Sequence, residues 1–298
     1  MISVLIPVYN TSIVELVKEL HSQLESINEG AEIVVVDDAS QVHHKIENRS
    51  IADLPAVTYK ELQNNVGRAK IRRLLADVAQ HQWLIFLDGD STIIHSSFLK
   101  NYIHAFAAGS DVILGGRVYQ KEKPKECSKV LHWKYGSIRE DVVKKKNGFL
   151  TNNFCIKKEV FNKLDFEVEL KSYGHEDTLM GIELKKTGAR VSYIENAVLH
   201  NCVEEASVFI QKSLQAVRNL DLLSNTIDES TLREHVRLYD QYCKLEQKGL
   251  TAPIKSIYNR SRKTIEKNLK SCNPSLFLFD FYRLANLILL KDQPRTDS

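Results

Sequence analysis

The sequence contains no apolar stretch long enough to cross a bilayer. Its opening, MISVLIPVYN, lacks both the basic region and the small-residue cleavage site of a signal peptide. Cysteine is sparse: Cys127, Cys155, Cys202, Cys243 and Cys272 are odd in number and scattered. No two have the short spacing of a zinc knuckle or a redox motif, so free thiols in a reducing compartment are expected. The net charge of +3 over 298 residues is too small to argue for nucleic acid. No internal repeat or low-complexity tract is visible. These absences lead to the expectation of a cytoplasmic globular protein.

What charge there is lies unevenly. Residues 251–298 carry nine Lys/Arg against four Asp/Glu, which leaves 32 against 34 upstream, a neutral body with a basic tail. ISVLIPVYN is an apolar, β-branched run stopped by Pro7 and Asn10. SIVELVKELHSQLES follows with Ile13, Leu16, Val17, Leu20 and Leu24 on one helical face. EIVVVDDAS is a continuous apolar run of the kind buried on both faces, VTYKEL a third strand, GRAKIRRLLADVAQ a basic helix and WLIFLDGD a fourth strand. This alternation predicts an α/β fold, a mostly parallel sheet flanked by helices. DVILGGRVYQ reads as an edge strand and the lysine-rich residues 119–148 as a mobile loop. NGFLTNNFCIKKEVFNKL resumes with a strand and a short helix. GHEDTLMGIELKKTG is a helix with acids first and lysines last, ARVSYIENAVLHN a strand, and the chain is helical from about residue 205.

In such sheets ligands bind beyond the carboxyl ends of the strands, which gathers Tyr9, Asp37, Asp38, Asp88 and Asp90 on one rim. Asp88 and Asp90 are separated by one glycine. In an extended chain their carboxylates would share a side and repel each other unless a cation sat between them. Asp-Gly-Asp-Ser is also good turn chemistry. Three successive buried strands ending in polar residues are harder to explain as unrelated turns.

PVYN, VVDDAS, NNVGRAKIRR, FLDGD and GHED, in that order, resemble family 2 glycosyltransferases over roughly residues 1–202. These are inverting, nucleotide-sugar-dependent enzymes with the GT-A fold. The GHED form is similar to the acceptor-side motif of β-galactosyl and N-acetylgalactosaminyl transferases. The resemblance implies that Tyr9, with the backbone beside Pro7, stacks on the uracil of a UDP-sugar. It gives Asp38 the base N3–H, which a carboxylate suits as an acceptor-only group. Arg68 and Arg72, four apart on one helical face, would take the diphosphate, a good partner for guanidinium; a solvated basic face is the plain alternative. Asp88 would face the ribose or uridine and share the metal site. Asp90 would ligate Mn²⁺ or Mg²⁺, with His200 as a further ligand favouring Mn²⁺. Asn152 and Asn153 would line the sugar or acceptor pocket. Asp177 would be the general base, with Glu176 orienting it or the acceptor; acidic capping of a helix start is the plain alternative for both acids.

The expected domains are a GT-A catalytic part over 1–205 and a helical extension over 206–298. In the latter, KSIYNRSRKTIEKNLK carries six basic residues before LFLFDFYRLANLILL, whose Asp280 and Arg283 interrupt it. Two readings follow. Phe277, Phe281, Leu284 and Leu287 could lie on an anionic inner membrane face, or the helix packs on the protein or on a second copy. The function expected is transfer of a hexose or N-acetylhexosamine from a UDP-sugar to a saccharide or lipid-linked acceptor, with no nucleic-acid partner. An inert sugar-nucleotide-binding scaffold is one alternative. A sugar-nucleotide nucleotidyltransferase is another, against which IPVYNTSIVEL shows no glycine-rich triphosphate loop.

Overall fold

The computed structural model describes residues 1–27, 30–141, 149–165 and 174–292. The chain opens with β1 (Ile2–Val8), α1 (Val14–Glu25), β2 (Ala31–Asp37), α2 (Val42–Asn48), β3 (Val57–Glu61), α3 (Arg68–Val78) and β4 (Trp83–Leu87). It continues with β5 (Ser91–Thr92), α4 (Phe98–Ala105), β6 (Val112–Leu114), β7 (Arg117–Val118), α5 (Val130–Tyr135), β8 (Asn153–Lys157) and α6 (Lys158–Phe161). Next are α7 (Glu176–Thr187), β9 (Val191–Tyr193) and β10 (Val198–His200). It closes with α8 (Ala206–Leu223), α9 (Glu229–His235), α10 (Arg237–Gln247), α11 (Thr251–Leu269) and α12 (Leu276–Lys291). Among the described residues the chain resolves into two compact units. One lies within Met1–Gln120, Ser137–Val168 and Glu183–Cys202, the other within Lys121–Gly136, Glu169–Ile182 and Val203–Ser298.

The first unit is built on a seven-stranded sheet of order β3-β2-β1-β4-β8-β6-β9. β1, β2, β3 and β4 run parallel, and β8 enters antiparallel between β4 and β6. The apolar runs of β1, β2 and β4 are continuous because both faces are covered. Ile2, Val4, Ile6, Ile33, Val35, Ile85 and Leu87 meet Leu16, Val17 and Leu20 of α1 and Phe98, Leu99 and Tyr102 of α4. The alternate residues Leu5, Val34, Val36, Leu84 and Phe86 are equally buried and, by the period of two, point to the other face. That face is covered in part by α3, through Ile71 and Leu75.

Several expectations are corrected. Pro7 does not stop the first strand, because β1 pairs with β4 only as far as Leu5 and with β2 through Val8. Pro7 therefore lies where one side of the strand has no ladder to lose. DVILGGRVYQ is not an edge strand: it breaks at Gly115–Gly116 into β6, an interior strand, and β7, which joins β10 and β5 in a second sheet. The segment 119–148 is not a simple loop where it is described. Cys127–Lys129 forms a 3₁₀ turn leading into α5, with Val130 and Leu131 buried. Residues 142–148 lie outside the described residues.

The second unit is helical. Leu131, Phe209, Tyr258, Ile265, Leu269, Phe279 and Tyr282 form one apolar cluster. Val217, Leu220, Leu232, Tyr239, Leu287 and Ile288 form another. The hydrophobic face of α12 is thus spent inside its own unit. Leu287 is fully buried, Phe281 and Leu284 pack against the clusters, and only Phe277 of the expected membrane-facing set is exposed, at 77%. No described helix is long and apolar enough to cross a membrane. The expectation of free cysteines holds for Cys155, Cys202 and Cys243 but is overturned for Cys127 and Cys272, which form a disulfide across 145 residues of sequence. Sequence spacing held no trace of this pairing, and cysteine usage no longer argues for a reducing compartment.

Candidate functional site

Because β1, β2 and β4 are parallel, the residues that follow them share one rim of the first unit. Tyr9 stands there 56% exposed. Asp37 is fully buried and faces inward, accepting the Ser40 N–H at 2.7 Å. Asp38, only 4% exposed, accepts the backbone N–H groups of Val66 (2.7 Å) and Gly67 (3.1 Å) just before α3. Burial raises the pKa of its carboxyl, partly offset by those two hydrogen bonds. Asp38 therefore fastens the start of α3 to the end of β2. Between Asp38 and Ser40, Ala39 adopts φ +61°, a left-handed conformation that a non-glycine residue enters at a cost.

Asp88-Gly89-Asp90 is not extended. The Ser91 N–H donates to the Asp88 carbonyl at 3.1 Å, so the chain turns and each acid meets a different basic side chain. Arg72, 2% exposed, donates from Nη2 to Asp88 Oδ1 at 3.1 Å and to the Thr151 carbonyl at 3.4 Å. Asp90 Oδ2 lies 3.6 Å from His200 Nδ1. Burial would raise the pKa of the Asp90 carboxyl, but His200, with the charges of Arg117 and Arg68, outweighs it and holds the pKa below the usual carboxylate range. The repulsion implicit in two acids one residue apart is thus removed by division. Gly89 sits in a tight space: a Cβ there would come within 3.1 Å of the Ile13 side chain and into contact with the Pro7 carbonyl at 3.4 Å.

Around Asp90 and His200 stand three residues that the sequence does not single out. Tyr119 meets the His200 ring edge-on at 5.2 Å, and its hydroxyl donates to Glu140. Arg117 pairs with the same Glu140 carboxylate at 2.7 Å. An ion pair between residues 23 apart in a strand and a helical turn leaves no periodic signal that could have revealed it.

Asn152 and Asn153 have different surroundings. Asn153 is fully buried, its Oδ1 accepting the Tyr102 hydroxyl (2.7 Å) and its Nδ2 donating to the carbonyls of Gly116 (2.8 Å) and Asn196 (2.9 Å). Gly115 is glycine because a Cβ there would sit 2.4 Å from the Tyr102 hydroxyl. Asn152 presents its backbone carbonyl to the Asp88 N–H at 2.9 Å, while its side-chain Oδ1 is buried with no hydrogen-bond partner. Among the described residues no three His, Cys, Asp or Glu side chains converge to hold an ion by themselves. Asp90 with His200 is nonetheless a carboxylate–imidazole donor pair, and Mg²⁺ or Mn²⁺ commonly uses one or two protein ligands together with substrate phosphates.

The GHED turn belongs to the helical unit. Gly174 (φ +109°) packs where a Cβ would strike Ala216 of α8 at 2.5 Å, and its carbonyl accepts Asn219 Nδ2 at 3.1 Å. Its N–H donates to Glu176 Oε2 at 3.1 Å, which fixes that carboxylate over the first turn of α7. His175 (φ +71°) has Nδ1 3.1 Å from Thr178 Oγ1. Burial, reinforced by the charge of Arg283, pulls its pKa down to about 4, so the imidazole is neutral at neutral pH.

Several solved structures share this fold. The mannosyltransferase PcManGT from Pyrobaculum calidifontis, in complex with GDP-Man and Mn²⁺, is 14% identical, with 98% of this chain and 88% of that one covered at a TM-score of 0.57. A fragment of S. aureus TarS in complex with UDP-GlcNAc is 17% identical, with 99% and 93% covered at 0.51. Glucosyl-3-phosphoglycerate synthase from Mycobacterium tuberculosis, in complex with Mn²⁺, UDP and phosphoglyceric acid, is 13% identical, with 74% and 78% covered at 0.50. Against a longer TarS chain, the match spans only 39% of that chain. No curated protein sequence matches. The fold is GT-A, a mostly parallel sheet with flanking helices, here followed by further helices. The family model for glycosyl transferase family 2 matches residues 3–165, more than half of the sequence, and the chain belongs to that family.

Proposed function

We propose that this protein transfers a hexose or N-acetylhexosamine from a UDP-sugar to a hydroxyl of a saccharide or lipid-linked acceptor, with inversion and with a divalent metal. The observation that carries the proposal is the division of the two rim acids, Asp88 to Arg72 and Asp90 to His200. Structures of the same fold contain UDP-GlcNAc, or GDP-Man with Mn²⁺, or UDP with Mn²⁺, which supports a nucleotide-sugar donor and a metal.

In this reading Tyr9, with Pro7, receives the uracil face. Asp38 accepts the base N3–H on lone pairs that its two backbone amides leave over. Arg72 is committed to Asp88, so it positions that carboxylate toward the ribose, while Arg68, whose charge already reaches Asp90, faces the diphosphate. Asp90 and His200 would hold the ion, with Asp88 beside them. A metal bound there would neutralise charge on the departing UDP. Asn152, whose Oδ1 is unmatched, reads a hydroxyl of the donor; Asn153 supports it from the buried network with Tyr102. Asp177 takes the proton from the acceptor hydroxyl as that oxygen attacks the anomeric carbon opposite UDP. Glu176, held by the Gly174 N–H, orients it.

Asp90→Ala tests the proposal. Titration calorimetry of UDP with and without Mn²⁺ is expected to show a metal-dependent gain in affinity in the wild type and none in the variant, with Tm little changed. An equal Mn²⁺ effect in both proteins overturns the metal assignment.

A further inference from the structure

The three-stranded sheet sets His200 between two neighbours. On one side His200 of β10 pairs with Ser91, the residue after Asp90; on the other, Leu199 pairs with Val118, which brings Tyr119 level with His200. Arg117 and Tyr119 flank Val118 in sequence, and both donate to one oxygen of Glu140, Oε2. Arg117 does so through Nη2 at 2.7 Å and Tyr119 through its hydroxyl. The Arg117 guanidinium also lies 5.8 Å from the centroid of the Tyr119 ring. Tyr119 in turn meets the His200 ring at 5.2 Å, and His200 Nδ1 stands 3.6 Å from Asp90 Oδ2. All of these residues belong to the first unit, which the chain leaves after Gln120 and re-enters at Ser137. Glu140 therefore closes a clasp across that excursion, and the clasp ends on the Asp90–His200 pair.

The clasp has an electrostatic consequence. The charges of Arg117 and Arg68 both reach Asp90. Arg68 is given to the diphosphate, an anion that arrives with the donor, whereas the anion facing Arg117 is built into the protein. The Arg117 and Glu140 side chains are 16% and 21% exposed, so water screens their charges only in part. Without the Glu140 carboxylate, the full charge of Arg117 would oppose a divalent cation arriving at Asp90 and compete with it for the same oxygens. We infer that Glu140 is a positioning residue for the ion site: it holds Arg117 in the clasp and offsets its charge, so that Asp90 and His200 stay open to a divalent cation. The inference rests on the reading of Asp90 and His200 as the residues that hold the ion. It deepens that reading by naming the residue that keeps them available.

The experiment titrates the full chain with UDP, with and without Mn²⁺, by calorimetry, and reads the factor by which Mn²⁺ raises UDP affinity. Thermal melts of the same samples report folding. Glu140→Gln keeps an acceptor oxygen for Arg117 and Tyr119 and removes only the charge. Its Mn²⁺ factor is expected to fall roughly 10- to 100-fold, the scale of an unbalanced like charge beside a partly screened site. The double variant Glu140→Gln, Arg117→Gln removes the cation as well, and its factor is expected to return to within about 3-fold of the wild type, the coupling of residues that act through each other. A clasp that served only the fold would be broken further by the second substitution, so a loss that persists in the double variant overturns the inference. If the Glu140 variants do not fold, Arg117→Gln alone serves. Its Mn²⁺ factor is expected at or above the wild-type value, and a loss of about 10-fold or more overturns the inference. No Mn²⁺ effect in the wild type defeats the reading of Asp90 and His200 and this inference with it, whereas a wild-type effect that Glu140→Gln leaves intact overturns this inference alone.

Discussion

Replacing Arg72 by Met should cost about 2–3 kcal/mol of stability. Breaking a buried ion pair by removing one partner typically costs about 3–5 kcal/mol, because a charge is left desolvated. Here Arg72 is 2% exposed but the Asp88 side chain keeps 25% of its surface, so the abandoned carboxylate recovers part of its hydration. The lower figure follows. Met keeps an unbranched stem at this buried position, so packing losses stay small. In a chain of this size the loss corresponds to a fall in Tm of roughly 3–5 °C. Asp88→Asn in the Arg72→Met background removes the abandoned charge and should restore more than half of the loss, a coupling of roughly 1.5 kcal/mol between contacting residues. Urea denaturation of the wild type, the two single variants and the double variant measures this cycle. Effects that add within about 0.3 kcal/mol would show that the two residues are neighbours without being partners, and the account of how the two rim acids are separated would fail. The same variants discriminate function: Asp88→Asn leaves the Asp90–His200 pair intact and should lower Mn²⁺-dependent UDP affinity less than Asp90→Ala does.

Two further predictions follow from tight geometry and from burial. Gly115→Ala should destabilise by more than about 2 kcal/mol, because the new Cβ would approach the Tyr102 hydroxyl at 2.4 Å, Asn153 Nδ2 at 2.6 Å and the Asn196 carbonyl at 2.8 Å; a thermal shift under 1 °C would refute the crowding. His175, with its pKa pulled down to about 4, makes stability depend on acid. Between pH 6.5 and 4 the unfolded chain binds a proton that the folded chain refuses, so stability falls as pH falls, by on the order of 2–3 kcal/mol in all. His175→Asn, which tolerates the same left-handed backbone, should flatten that slope in denaturation curves taken across the window, and an unchanged slope would reassign it to other groups.

The parallel half of the sheet was legible because its information is local. The runs ISVLIPV, EIVVVD and WLIFL announce strands covered on both sides, and their polar ends, Tyr9, Asp38 and Asp88, fall on one rim once the strands are parallel. The order PVYN, VVDDAS and FLDGD likewise pointed to the family, whose model matches residues 3–165. What was not legible is what distant segments do to one another. Whether Asp88 and Asp90 turn to one partner or to two depends on Arg72 and His200, 16 and 110 positions away from their partners. Whether LFLFDFYRLANLILL faces lipid or protein depends on Phe209 and Val217 of another helix, and those side chains bury it. Gly115, where DVILGGRVYQ breaks, has no room for a side chain beside Tyr102, Asn153 and Asn196, three residues from three separate segments. The disulfide joins cysteines with no spacing rule between them. Periodicity records which side of one element is apolar; only the packed chain decides which charge, ring or thiol is waiting on that side.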